Sequence, residues 1–167
     1  TLFGTNSGKV AVTGGDQDDN VRVSATADSE MAVGVFGQAG GQVNLDGGAG
    51  NDTLTVDALF TGSPSGASTV TNGGQGAYGI ASAWWHASTT VDGFEAVNSN
   101  AYNYGKGGSA YGMFAQSSGN EESVNTVRNA DGALNLNINA SAPDSENAYA
   151  MYTLVRGENR IEGGSLA

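Results

Sequence analysis

The candidate metal-binding residues of this sequence lie in two glycine-rich stretches. They share carboxylate or amide oxygens within or at the end of such a stretch, and they are Asp16, Asp18, Asp19, Asn51 and Asp52. Calcium takes oxygen ligands from carboxylates and backbone carbonyls, and glycine turns leave carbonyls free to point towards an ion. We therefore predict these five residues as calcium ligands. The alternative is solvated turns in which Asp and Asn accept local backbone hydrogen bonds.

Trp84 and Trp85 are candidates for ligand binding. They precede His86, the sole histidine, in the only dense aromatic cluster of the chain. Because adjacent residues of a strand face opposite sides, we expect one indole to be exposed, where it can stack on a sugar ring or contact a partner. The alternative is that both indoles cover the mouth of a loop over residues 59–72.

Catalytic chemistry is not expected. Sugar hydrolysis needs two acids roughly 5 to 9.5 Å apart in a cleft, and nothing in the spacing of Asp57, Asp92 and Glu95 places them in one. No serine or acid motif flanks His86, and no glycine run continues into the Lys-Ser/Thr of a phosphate-binding loop. The sequence therefore predicts no catalytic residues and no enzyme activity.

The elements that must position these residues are predicted to be strands. Apolar and polar residues alternate over Val43–Leu45 and Leu54–Ala58, on either side of the second glycine turn, which is typical of half-buried strands. The stretch Val10–Ala25 repeats Val43–Ala58 without a gap at an offset of 33 residues. A helix is disfavoured because glycine is frequent and no apolar stripe of period 3.6 extends over three turns.

Three kinds of strand recur along the chain. The third kind ends on an alanine that marks the repeat, at Ala25, Ala58, Ala101 and Ala140, with spacings of 33, 43 and 39 residues. The extra residues are expected in surface loops over 59–72, 102–108 and 141–147, which contain Pro, Gly and Ser. Since such a repeat must stack on its neighbours, we predict one all-β domain over residues 1–167: a parallel β-solenoid of about four coils with three short strands each.

The repeat also predicts which residues point inward. In the third strand of each coil the inward rows are Val21, Leu54, Val97 and Leu136, and Val23, Val56, Ser99 and Ile138. The first strand leaves two alternatives. Its inward rows are either Val33, Tyr78, Tyr111 and Tyr149 beside Val35, Ile80, Met113 and Met151, or Ala and Gly together with Phe36, Ala81, Phe114 and Tyr152.

The nonapeptide Gly47–Thr55 resembles the G-G-x-G-x-D-x-U-x repeat of RTX (repeats-in-toxin) proteins, with Leu54 as its large apolar residue. The resemblance implies a bacterial β-roll whose turns bind Ca²⁺, with Asp19 and Asp52 one coil apart on the same edge. The chain departs from the RTX pattern in having one such turn per coil. The shorter third corner is expected to lack an acid at the equivalent of Asp52, and the fourth has Leu134 there, so at most two sites are predicted.

Composition restricts the partners. The formal net charge is −11, with 17 acids against 6 bases, which disfavours nucleic acid and anionic lipid. Cysteine is absent, so disulfides and thiolate metal sites are excluded. No apolar run approaches the roughly 18 residues of a membrane span, and we expect no membrane insertion.

We therefore expect a secreted or surface-exposed bacterial structural or adhesive rod, as in large repeat adhesins and exoproteins. Calcium would stabilise it, and the chain is expected to be a segment of a longer repeat protein or fibre. Its partners would be other copies, bound through the solenoid ends, or a cell-surface glycan.

The alternative is a carbohydrate-binding or carbohydrate-active solenoid, similar to lyases, epimerases or phage tailspikes. An ice-binding face is disfavoured because Thr53 and Thr55 have no matching Thr-x-Thr rows in the other coils.

Overall fold

The computed structural model describes residues 1–29, 31–62, 76–130, 132–144 and 147–163. These residues form fourteen strands: β1 (Leu2–Thr5), β2 (Lys9–Thr13), β3 (Asn20–Ala27), β4 (Met31–Gln38), β5 (Gln42–Asp46), β6 (Thr53–Phe60), β7 (Gly76–Ala83), β8 (Ser88–Asp92), β9 (Ala96–Asn103), β10 (Ser109–Gln116), β11 (Ser123–Asn129), β12 (Asn135–Ser141), β13 (Asn147–Leu154) and β14 (Gly157–Gly163). Within the described ranges there is no helix of the length and apolarity that a membrane crossing requires.

The strands build three parallel sheets. Sheet A has the order β1-β4-β7-β10-β13, sheet B the order β14-β11-β8-β5-β2, and sheet C the order β12-β9-β6-β3. Every third strand along the chain therefore returns to the same sheet, and each strand pairs in parallel with its equivalent in the next coil. The predicted β-solenoid of about four coils with three strands per coil is confirmed.

The register agrees with the predicted repeat. Leu54 pairs with Val21 on one side and Val97 on the other, and Val97 pairs with Leu136. Leu54 and Val97 are fully buried. The core they belong to draws residues from all three sheets: Val23, Val35, Val43, Leu45, Leu54, Val56, Ile80, Val91, Phe94, Val97, Met113 and Val127. Both predicted inward rows of the third strand therefore face the interior.

The first strand of each coil follows neither predicted alternative. Ile80 packs in the central core, and a Cβ on Gly79 would lie 2.2 Å from Ser99 Oγ of sheet C, so two consecutive residues face inward. Tyr78 and Ala81 belong to a separate cluster built from sheet A and Trp84. The row of Ile80 was predicted correctly in the first alternative. The inward Ala and Gly residues were predicted correctly in the second, since Ala77 packs with Ala58 and Phe60 of sheet C. The row of Tyr78 was assigned inward in the first, and it lies on the outer side with the row of Ala81.

This change of parity places an aromatic ladder on the outer side of sheet A. Tyr78 stacks on Tyr111 with ring centroids 4.8 Å apart, and Tyr111 stacks on Tyr149 at 5.4 Å. Phe114 and Tyr152 stack at 6.0 Å beside them. Stacked aromatic pairs contribute about 0.5–1.5 kcal/mol beyond the area they bury, so the ladder helps to fix the register between coils.

The predicted loops are described only in part. Leu59 and Phe60 belong to β6, and residues 63–72 of the first predicted loop lie outside the described residues. In the second loop, Tyr102 and Asn103 complete β9, and a turn follows. In the third, residues 145 and 146 lie outside the described ranges.

Candidate functional site

The predicted calcium ligands lie at the corner between sheets B and C of the first two coils, where their carboxylates accept backbone hydrogen bonds. Asp19 Oδ2 accepts from the N–H of Gly15 at 2.7 Å. Asp52 Oδ1 accepts from the N–H of Asp19 at 2.7 Å, and Asp18 Oδ1 accepts from the N–H of Asn51 at 2.9 Å. The hydrogen bonds accepted by Asp52 and Asp18 join the first coil to the second. These acids therefore connect one corner to the next.

Asp52 differs from the other candidates because it is fully buried. Its Oδ2 has no hydrogen-bond partner among the described residues. In the first coil the matching oxygen, Asp19 Oδ2, accepts a hydrogen bond from the N–H of Gly15. In the second coil the equivalent N–H, that of Gly48, donates instead to Asp46 Oδ1 at 3.0 Å. The loss of that donor leaves one buried carboxylate oxygen at the corner without a partner. Asp16, by contrast, is exposed.

The candidate ligands do not form a dense acidic cluster. Within the described ranges, no three His, Cys, Asp or Glu side chains lie close enough together to hold a metal ion. An ion at this corner would have to combine Asp52 Oδ2 with backbone carbonyls and water. Calcium tolerates such mixed oxygen sets, but its affinity falls as the number of charged ligands decreases.

The third coil corrects one expectation about this corner. Thr53 pairs with Ala96, so Glu95 occupies the position equivalent to Asp52. The backbone confirms the equivalence, since the Glu95 carbonyl accepts from the next coil at 2.7 Å as the Asp52 carbonyl does at 3.1 Å. The expectation of no acid was therefore wrong. The Glu95 side chain is exposed, however, and Phe94 beside it is buried in the core.

Trp84 and Trp85 lie in a corner between sheets A and B and are not strand residues. The first two coils turn this corner with three residues between the sheets, whereas the third coil uses four, Trp84, Trp85, His86 and Ala87. Trp84 has φ 69° and His86 has φ 50°, a left-handed conformation that costs about 1–2 kcal/mol in a non-glycine residue. Trp85 is 55% exposed and Trp84 is half-buried, which confirms the expectation of one exposed indole.

Neighbouring coils hold this tryptophan corner in place. The N–H of Trp84 donates to the Gln116 carbonyl at 2.9 Å, and the Trp84 carbonyl accepts from the Ser123 hydroxyl. His86 Nε2 lies 2.7 Å from Glu121 Oε2. Three contacts to the fourth coil therefore fix the backbone of this corner.

A cleft of about 580 Å³ opens beside the tryptophan corner. Its lining combines one aromatic side chain with several polar ones: Ser7, Lys9, Ala39, Gly40, Gln42, Trp85 and His86. The first two coils contribute small corner residues and the third contributes Trp85 and His86, so the cleft is a step in the surface. Sequence reasoning found Trp85 but missed Lys9 and Gln42, since only the coil register brings them to this corner.

The acids considered for catalysis are not brought into one cleft. Asp57 lies on sheet C and is paired with Arg22 at 2.7 Å, whereas Asp92 lies on sheet B and is paired with Arg128 at 2.7 Å. The hydrogen bond to Asp92 raises the pKa of the Arg128 guanidinium above its ordinary value. Both carboxylates therefore serve coil-to-coil ion pairs.

No protein-family model, no curated protein and no solved structure matches this chain. The assignment of the fold as a β-solenoid therefore rests on the strand pairing, and the likeness to RTX proteins rests on the nonapeptide.

Proposed function

We propose that this chain is a structural β-solenoid module of a bacterial secreted or cell-surface protein, and that it extends a stiff rod by stacking end to end on further copies. The observation that carries this proposal is the parallel pairing of every described strand with its equivalent in the neighbouring coil. A solenoid of this kind contacts only its neighbours, so its length grows by adding coils.

The two end faces of the described solenoid support the proposal. Val12 on the first face is half-buried, although its equivalents Leu45 and Val91 are fully buried. On the opposite face, Met151 is 41% exposed and Ile161 is 47% exposed. Apolar core residues and unpaired strand edges therefore face solvent together at both ends, and each feature favours association with another sheet.

The register of the existing sheets says how two copies would fit. Continuation of sheets A and B would place Leu2 of one copy against Met151 of the other, and Val12 against Ile161, because these residues lie in the same rows. Sheet C has four strands where sheets A and B have five. A junction built from the described residues alone would therefore leave one strand position open beside β12.

The proposed location and adhesive role are supported by the charge of the chain and by the nonapeptide. An acidic surface with a net charge of −11 and the RTX-like nonapeptide are features that the chain shares with secreted repeat proteins. The calcium of that resemblance is supported by one observation, the buried Asp52 Oδ2 with no partner among the described residues. We propose a weak site there, since a single free carboxylate oxygen provides little charge.

Sedimentation velocity over a range of protein concentrations, followed by electron microscopy, tests the stacking. We expect the sedimentation coefficient to rise with concentration and filaments one solenoid wide to form. A monomer that persists to millimolar concentration would overturn end-to-end stacking.

A further inference from the structure

The cleft beside Trp85 has the shape and lining of a small-molecule site. It spans three coils, because Ser7 and Lys9 come from the first, Gly40 and Gln42 from the second, and Trp85 from the third. At about 580 Å³, its volume lies within the range of pockets that hold small ligands. The sharp change from small residues to an indole gives the cleft one aromatic wall.

The chemistry of the lining favours a sugar. Trp85 is 55% exposed, and an exposed indole packs against the C–H face of a pyranose ring while keeping its own N–H available. The Ser7 hydroxyl and the Gln42 amide also line the cleft, and both groups can donate and accept hydrogen bonds. An aromatic side chain together with groups that both donate and accept hydrogen bonds suits the C–H face and the hydroxyls of a sugar.

Lys9 brings a positive charge to the lining of this cleft. Lys9 makes no ion pair with any described residue, whereas Arg22, Arg128 and Arg160 each lie within 4.0 Å of a carboxylate. His86, the other basic side chain of the lining, already faces Glu121 at 2.7 Å. The Lys9 ammonium is therefore free to bind an anion in a protein whose net charge is −11.

We propose that this cleft binds a carboxylated pyranose, with the sugar ring against Trp85 and its carboxylate at Lys9. The described lining residues include no carboxylate, so they offer no pair of acids for hydrolysis, and the proposal concerns binding alone. The proposal goes beyond the structural rod and does not depend on end-to-end stacking, since all three coils of the cleft belong to one chain.

Trp85 is held ready for this role by its neighbours. The hydrogen bonds to Trp84 fix the corner, and Gly119 of the fourth coil lies against the indole. A Cβ on Gly119 would come within 2.8 Å of Trp85 Cδ1. Gly119 is therefore a positioning residue, and an alanine there would displace the indole without removing it.

Isothermal titration with two matched probes tests the proposal: oligogalacturonate, which carries carboxylates, and the neutral galactose oligomer of the same length. We expect oligogalacturonate to bind, and its affinity to fall as sodium chloride is raised, because salt screens an exposed ion pair. Trp85→Ala should weaken binding of both probes by roughly tenfold. Lys9→Gln should weaken only the acidic probe, by roughly threefold.

The chain offers a matched control for each variant. Tyr104 is another exposed aromatic residue, at 54%, and Lys106 is another exposed lysine. Tyr104→Ala and Lys106→Gln should therefore leave both affinities unchanged, and Gly119→Ala should reproduce part of the Trp85→Ala loss.

Three results would overturn the proposal. The first is no heat of binding with either probe at millimolar sugar, and the second is equal affinity for the two probes. The third is an affinity for oligogalacturonate that neither Trp85→Ala nor Lys9→Gln changes.

Discussion

The N–H of Asp19 donates a hydrogen bond of 2.7 Å to Oδ1 of Asp52, which lies 33 residues further along the chain and one coil away. Thr53 donates in return to the Asp19 carbonyl at 2.8 Å. Through Asp19, the first coil therefore donates one hydrogen bond to the second at this corner and accepts one from it. The acids of these two glycine turns therefore help to hold the register between the first two coils.

Removing the Asp52 carboxylate should destabilise the solenoid. Asp52→Ala removes a fully buried side chain and leaves the half-buried N–H of Asp19 without its acceptor. We expect a loss of about 1 kcal/mol, the lower end of the range for an unsatisfied donor. Urea unfolding followed by circular dichroism measures the loss. Asp16→Ala is the control, because Asp16 is exposed, and it should change the unfolding free energy by less than about 0.5 kcal/mol. Equal effects of the two variants would contradict this role of Asp52.

A methyl group on Gly79 should also destabilise the fold. Its Cβ would lie 2.2 Å from Ser99 Oγ and 2.6 Å from the carbonyl oxygen of Gly112, so Gly79→Ala must move the backbone of the next coil. Overpacking of this kind costs about 1–3 kcal/mol. Gly15→Ala serves as the control in the same thermal unfolding experiment, since its Cβ would meet only Asp19 Oδ2 at 3.8 Å. If Gly79→Ala were as stable as Gly15→Ala, the inward orientation assigned to Gly79 would be wrong.

The row of amides on the outer side of sheet C predicts a pH-dependent effect. Asn100 Nδ2 donates to Asp57 Oδ1 at 2.9 Å, and Asn139 Nδ2 donates to Asn100 Oδ1 at 2.9 Å. Asn100→Asp replaces the donor by a second carboxylate. The variant should lose about 1 kcal/mol relative to the unmodified chain at pH 7, from like-charge repulsion and the lost hydrogen bond.

Protonation decides the sign of that pH dependence. The repulsion exists while the introduced carboxylate is ionised and disappears when that group is protonated, so the loss should shrink between pH 7 and pH 3. Asn137→Asp is the matched control, because Asn137 donates to Asn98 and Asn135 and to no carboxylate. Its stability relative to the unmodified chain should vary less with pH. A loss for Asn100→Asp that is the same at both pH values would contradict the charge argument.

Calcium should raise the thermal midpoint of the protein only at millimolar concentration. An ion that binds the folded chain alone, at ten times its dissociation constant, adds roughly 1.4 kcal/mol of stability. The increase should be absent in Asp52→Asn, which removes the buried charge, and should remain in Asp16→Asn. An equal thermal midpoint in calcium and in chelator would contradict calcium binding. The same increase in Asp52→Asn would contradict a site at Asp52.

The third strands of the coils could be predicted from sequence because their two sides differ. In β6 the residues alternate strictly between buried and half-buried, so Leu54, Val56 and Ala58 mark one side and the register follows. The same alternation, repeated at an offset of 33 residues, was enough to predict the solenoid.

The first strands could not be predicted in the same way. Every residue of β7 is buried, so its sequence has no polar side to indicate direction, and the change of parity between Gly79 and Ile80 left no signal in residue type. The ligand cleft was missed for a different reason. Lys9 and Trp85 are brought together only by the stacking of three corners, and the third corner has one residue more than the first two.

End-to-end stacking predicts a specific behaviour of two charged variants. Val12→Lys blocks one end face and Ile161→Lys blocks the other, and the register places these two residues in the same row. Circular dichroism first confirms that both variants fold. Each variant alone should then be monomeric, because its intact face meets only blocked faces.

Sedimentation velocity of the two variants mixed in equal amounts tests the central proposal most directly. Since the mixture contains one intact face of each kind, it should form one-to-one dimers and nothing longer, while the unmodified chain grows into filaments. A mixture that stays monomeric while the unmodified chain assembles would contradict stacking through these faces, as would an unmodified chain that remains a monomer.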